Sequence, residues 1–138
     1  MKLTDFYFAD KNEAGTMMPI LLPSGEDSGE WLQVMGPDCD AAIKAGREYT
    51  TEYRRLQDSL SELDAKGKEK GDWTEYNEQL NYGVEPLNIA LAVKIVTGWS
   101  FEDEFSKEAV QKLLTQYRGL AEAVAKHHTA SRAELAKK

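Results

Sequence analysis

The sequence predicts a mainly α, α+β fold: an N-terminal β-hairpin packed on a bundle of about four to five helices, one of them kinked near Pro86. Three observations lead there. Two short apolar runs flank a turn-rich segment near the N-terminus. Apolar residues then recur at helical spacing through the middle of the chain. Beyond Gly98-Trp99, serine and glycine punctuation marks out two further helices. At 138 residues, 41% of them hydrophobic, the chain can bury one core, so a single domain over 1–138 is expected. Its parts are a hairpin region over 1–36, a helical hairpin over 37–97, and a C-terminal helix pair with a frayed tail over 98–138.

The first strand candidate is Thr16-Met17-Met18-Pro19-Ile20-Leu21-Leu22 and the second is Trp31-Leu32-Gln33-Val34-Met35. Residues 23–30 between them are rich in turn formers, as a hairpin connection requires. Pro19 suits an edge strand, because proline donates nothing to a ladder. An isolated hairpin is marginal in water, so this one needs the helices that follow. Gly36-Pro37-Asp38 closes the second strand and opens a helix, with Asp38 as its cap and Asp40 against the positive end of the dipole. Within that helix Tyr49, Tyr53, Leu56, Leu60 and Leu63 alternate spacings of four and three, the seam of one helix lying along another. Two readings of the seam stand. It packs within its own domain, or part of it (Tyr49, Tyr53, Leu56 and Leu60) faces a partner.

Ala65-Lys66-Gly67-Lys68-Glu69-Lys70-Gly71 reads as a charged turn between antiparallel helices. Asp72 and Glu75 form a capping pair that starts the second helix. Trp73, Tyr76, Leu80, Val84, Leu87, Leu91 and Ile95 hold helical phase from there to a stop at Gly98. Pro86 removes a backbone donor and is expected to kink or split this helix. Gly98 and Trp99 make the structural joint, where the helix ends and a large ring is expected to be buried. A buried Trp99 predicts a loss of roughly 3–5 kcal/mol for Trp99→Ala. Ser106 opens the next helix, whose apolar face is Val110, Leu113, Leu114 and Tyr117. After a turn at Tyr117-Arg118-Gly119, Leu120 begins a last helix whose apolar positions, Leu120, Val124 and Leu135, thin toward a polar end.

Composition narrows the function classes. A net charge of −7 argues against a nucleic-acid footprint, which needs a clustered basic face. Cys39 is the one cysteine, so no intramolecular disulfide can form and a reducing compartment is expected. His127 and His128 are the two histidines, far from Cys39 in the chain and read as surface residues, so no nucleophile–base pair is expected. One Cys and two adjacent His cannot supply the four ligands of a zinc site, so no metal is expected. Glu102-Asp103-Glu104 lacks the alternating spacing of a calcium loop and reads as a solvated acidic loop. No phosphate loop, cofactor motif, signal peptide or membrane span is found, and a cytoplasmic protein without catalytic residues is the expectation. Trp31, Trp73 and Trp99 fall in or beside apolar runs; core packing is the default reading, with one as a partner anchor the alternative.

Three stretches, taken in order, resemble the tail assembly chaperones of long-tailed bacteriophages, the group that includes the lambda G protein and its counterpart in phage HK97. They are Gly29-Glu30-Trp31-Leu32-Gln33-Val34-Met35-Gly36-Pro37-Asp38, Ala92-Val93-Lys94-Ile95-Val96-Thr97-Gly98-Trp99, and the helix from Phe105 to Tyr117 followed by Arg118-Gly119. Arg118 departs from the pattern, standing where such turns commonly carry proline. The resemblance implies a non-enzymatic chaperone in the cytoplasm of the infected bacterium or of a lysogen. Its partner would be the long, helical tape measure protein, kept soluble while tail tube subunits polymerise around it. The chaperone would be absent from the finished virion. It also implies a longer frameshifted form that recruits the tail tube protein; Lys137-Lys138 is compatible with an A-rich slippery site. Many copies on one long partner favour weak self-association through head-to-tail contacts that do not close. The alternative is a small phage structural or connector component retained in the virion.

Overall fold

The computed structural model describes residues 1–136. After a 3₁₀ turn at Leu3–Phe6 come α1 (Ala9–Ala14), β1 (Thr16–Leu21), β2 (Asp27–Val34), α2 (Asp40–Ser59), α3 (Ser61–Lys70) and α4 (Thr74–Ile95). The chain then forms β3 (Val96–Trp99), α5 (Lys107–Gln116) and α6 (Leu120–Leu135). The fold is mainly α, with one antiparallel sheet in the order β1-β2-β3. The hairpin is therefore present, Pro19 lies on an edge strand as expected, and a third strand extends the sheet.

Alternation explains how the sheet meets the helices. Met18 and Ile20 of β1 are buried while Met17 and Leu21 are exposed, and Leu32 and Val34 of β2 face the same interior. Val34 pairs with Val96, and Leu32 with Trp99, so β3 adds its own apolar residues to that face. Against it lie Ala92 and Ile95 of α4, Val110 and Leu114 of α5, and Leu120 and Val124 of α6, all buried in one core. Ser106 caps α5 as predicted, its Oγ accepting the Ala109 N–H at 3.0 Å. Gly119, at φ 93°, turns the chain into α6 where the Tyr117-Arg118-Gly119 turn was expected.

Several expectations are corrected. The helix does not run to Gly98: α4 stops at Ile95, and Val96, Gly98 and Trp99 pair with β2, with an irregularity at Thr97, which leaves no free edge beside Leu32 and Val34. Pro86 does not split α4, which is continuous around it. The charged stretch at Lys66–Lys70 is no loop. It is helical in α3, where Asp64 and Lys68 form an i,i+4 ion pair, and the turn falls at Gly71 instead. Asp38 caps no helix; Cys39 occupies the N-cap, while the Asp38 carboxylate takes a two-pronged grip from Arg132 at 2.9 and 3.0 Å. That grip, together with buried Ser131, keeps α6 ordered through Leu135, so the tail does not fray from Ser131 onward. Lys137 and Lys138 lie outside the described residues.

The histidines are not surface residues either. Both are half-buried and bind two different parts of the N-terminal half: His127 Nε2 lies 2.7 Å from Thr16 Oγ1, and His128 Nδ1 lies 2.6 Å from Met35 O. They point apart, as neighbours on a helix must, and so tie α6 to β1 and to the end of β2. Helix α1 had no counterpart in the sequence reading. Its one buried residue is Asn12, which donates to Phe8 O at 2.8 Å and accepts the Asp38 N–H at 2.9 Å and, through its own carbonyl, the Gly36 N–H at 2.7 Å.

Candidate functional site

Two regions carry the residues singled out from the sequence. The first is the seam between α2 and α4. Tyr49, Tyr53, Leu56 and Leu60 are all half-buried, and the stripe leans on α4. Tyr49 Oη donates to Asn88 Oδ1 at 3.1 Å, and the Tyr49 and Tyr53 rings stack at 6.2 Å between centroids. Burial and then neighbouring Tyr53 push the Tyr49 hydroxyl above its ordinary pKa. Leu56 sits on Gly83, so closely that a Cβ there would lie 2.5 Å from Leu56 Cδ1. Leu60 ends α2 and turns the chain into α3. On the rim, Lys94 pairs with Glu48, and that hydrogen-bonded ammonium holds the Glu48 carboxyl below its usual range.

The second region is the joint. Gly98 lies opposite Gln33 in the sheet, and Trp99 opposite Leu32. Trp99 is half-buried, not buried as expected, and packs against the edge of the core. Its ring meets Phe101 at 5.3 Å and Phe105 at 5.2 Å, both edge to face, and its indole N–H donates to Asp103 O at 2.9 Å. Between this aromatic cluster and α5 opens a cleft of about 320 Å³, lined by Trp99, Phe101, Asp103, Ala109, Lys112 and Leu113. Phe101, Phe105 and Leu113 were not named for the site from the sequence. The signal available was three aromatic rings, Trp99, Phe101 and Phe105, gathered around an acid run.

Lys107 explains how α4 can end abruptly beside that cleft. Its ammonium donates to the carbonyls of Val93 at 2.8 Å and Val96 at 2.6 Å, which satisfies acceptors that a helix terminus leaves open. Burial of that ammonium lowers the Lys107 pKa. Ser100 fastens the other side of the strand, accepting the Trp31 N–H at 2.8 Å and donating to Glu30. Trp31 is half-buried and Trp73 is 38% exposed, so none of the three tryptophans belongs to the fully buried set. Trp73 instead lies over Gly67 and donates to Asp64 at 3.2 Å.

Buried Cys39 turns its thiol toward Gly36 O at 3.6 Å and Met35 Sδ at 3.9 Å. Among the described residues no group of three His, Cys, Asp or Glu could hold a metal ion, and no helix is long and apolar enough to cross a membrane. Glu102, Asp103 and Glu104 are exposed. The features developed at the surface are a packed helix seam and an aromatic cleft.

Comparison with known proteins agrees. A model of the family described as phage tail assembly chaperone matches residues 38–137, well over half of the chain. The chain belongs to that family. No curated protein and no solved structure matches it. The matched region contains both the seam and the joint; β1 and β2 precede it.

Proposed function

We propose that this protein is a non-enzymatic chaperone that binds and solubilises the tape measure protein in the cytoplasm of the infected bacterium and promotes tail tube polymerisation around it. The observation that carries the reading is the family match over residues 38–137, since a tail assembly chaperone works on tail proteins before they assemble. The tape measure protein is a long helical chain, and helices with one apolar face aggregate unless that face is covered. The open parts of Tyr49, Tyr53, Leu56 and Leu60 offer one helix-facing surface for it. A net charge of −7 keeps such a complex soluble and limits the protein to weak self-association. A longer frameshifted form brings in the tail tube protein, and the chaperone leaves before the virion is complete.

Co-expression with the neighbouring tape measure gene tests the reading. The tape measure protein is expected to become soluble and to co-purify; if it stays insoluble and alone, the proposal fails. Mass spectrometry of purified particles separates a chaperone, which is missing from them, from a connector component, which is retained. A slippery heptamer overlapping a second reading frame is the expected finding at the nucleotide level for the longer form.

A further inference from the structure

We propose that residues 46–88 form an arm that opens and closes separately from the rest of the molecule, and that the closed arm masks apolar stripes with which it holds another chain; the masking rests on the proposed function. The arm consists of the outer part of α2, all of α3 and the outer part of α4. The core stops at its root. Ala45 is the last core residue of α2 and Ile89 the first of α4, and between them Gly67 alone is buried. The half-buried hydrophobic side chains that pack against the core run from Leu91 to Tyr117 and include none from the arm. Its own apolar residues are half-buried within it: the Tyr49 and Tyr53 rings stack, and Leu56 lies on Gly83. A segment with so little full burial opens at a lower free energy than the core beside it.

Little else fastens the arm. Its side-chain ties to the rest of the chain are the ion pairs of Glu48 with Lys94 and Glu85 with Arg118, whose side chains are 42–69% exposed, and pairs so wet hold weakly. Behind the root a gap of about 360 Å³ separates Asn81, Val84 and Asn88 of α4 from Leu114 and Gly119. Both helices are weakened at the same place. Gly46 of α2 has no positive φ, and a Cβ there would meet nothing within 4 Å, so neither backbone nor packing calls for glycine. What glycine does at that position is lower the helix propensity of α2. On the facing helix, Pro86 has no N–H to give the Tyr82 carbonyl, so α4 lacks a bond of its ladder. Opening at these two points uncovers the covered sides of Tyr49, Tyr53, Leu56 and Leu80, which in the closed arm meet α2 and α4 alone. Apolar surface kept covered until a partner selects the open state leaves the free protein without a large exposed patch.

Hydrogen exchange on the free full-length protein reads the opening without any partner. The best-protected amides of residues 50–84 are expected to show protection at least about tenfold below those of Ala92, Leu114 and Val124. Leu114→Val, which loosens the core, should lower protection in the core and leave the arm unchanged. If arm and core share one level of protection and fall together in Leu114→Val, the arm is not a separate unit and the proposal is overturned. For the masking, Leu56→Cys with Gly83→Cys, in a Cys39→Ala background, sets two thiols across the seam where these residues touch. The oxidised form is held shut and the reduced form is free to open. Purified tape measure protein is expected to bind the oxidised form at least about tenfold more weakly than the reduced form. Equal binding by the two forms overturns the masking and leaves the chaperone reading standing. If neither the parent nor the reduced form binds, the chaperone reading falls and the masking with it, while hydrogen exchange still decides the opening.

Discussion

The α2–α4 seam and the Trp99 joint differ in how far the fold covers them. The seam has the spacing of a surface that could meet another helix, yet it is turned inward: Tyr49 bonds Asn88 across it, and Leu56 fills the space that Gly83 leaves. The joint has the look of a buried corner, yet Trp99 is only half-buried and lines a cleft. The difference lies in what each segment has to satisfy. A helix stripe is covered when another helix lies along it, and the short connection through α3 brings α4 back antiparallel to do so. A strand must pair its backbone first, and once Val96–Trp99 is hydrogen-bonded to β2 the Trp99 ring goes where the register sends it, to the rim of the core beside Leu32. Periodicity reports a stripe well and says little about which neighbour covers it.

The comparison can be broken most strongly from beneath. Leu32 is fully buried, lies opposite Trp99, and supports the joint from within. Leu32→Ala is expected to cost about 2–5 kcal/mol, read as a fall in denaturant midpoint, by lost burial plus the cavity left behind. Trp99→Ala should cost less, about 2–3 kcal/mol, because the ring keeps some contact with water and sits at the edge of the core. A Trp99→Ala loss of about 4–5 kcal/mol, the upper part of the range for a buried tryptophan, would mean that Trp99 is a core residue after all. A Trp99→Ala melt indistinguishable from the parent would make the ring wholly a binding surface.

These contrasts show which parts of the fold were legible. The hairpin strands were, because Met18, Ile20, Leu32 and Val34 alternate with outward residues. So were the starts of α5 and α6, because Ser106 and Gly119 act through their own local geometry. Strand β3 was not: Ile89 to Val96 is apolar but for Lys94, and the switch after Ile95 depends on an edge of β2 that is distant in sequence. Helix α3 was missed because lysine and glycine at residues 66–71 read as a turn, whereas Trp73 packing over Gly67 holds them. Helix α1 buries a single asparagine, and so offers no apolar period to read. Of the candidate site, Gly98 and Trp99 were named from the sequence; the cleft was not, because it needs Leu113 from α5 folded against the loop.

A smaller effect sharpens the seam side. Gly83→Leu places side-chain atoms where Leu56 now stands and is expected to cost about 1–2 kcal/mol, in the lower part of the overpacking range, because half-buried Leu56 can give way toward solvent. Gly83→Ala should be close to neutral, since the gain in helix propensity of about 1 kcal/mol offsets the displacement of one flexible methyl group. Thermal melts of the pair decide this. A neutral Gly83→Leu would mean that the seam is loosely packed and opens more widely, which would strengthen Tyr49, Tyr53, Leu56 and Leu60 as the contact face.

The smallest effect separates the two regions by pH. Burial lowers the His127 pKa below its ordinary 6.5, with Glu134 pulling it up and His128 pushing it down. Between the folded and unfolded values the unfolded chain binds more protons, so stability rises with pH in that window. The contribution is therefore fully present above about pH 6.5 and is lost as pH falls through the lower folded value. His127 holds Thr16 of β1, so acid should loosen the sheet side, whereas the seam contacts of Tyr49 with Asn88 and of Leu56 with Gly83 contain no group that titrates there. Single-tryptophan versions can read the two separately: Trp31 sits in β2, and Trp73 sits at the α3–α4 turn over Gly67. Between pH 7 and 5 the denaturation midpoint should fall, Trp31 emission should shift before Trp73 emission, and His127→Gln should flatten the midpoint against pH. Coincident shifts of the two tryptophans in the parent, or a slope unchanged by His127→Gln, would remove His127 as the cause and leave the two regions coupled as one cooperative unit.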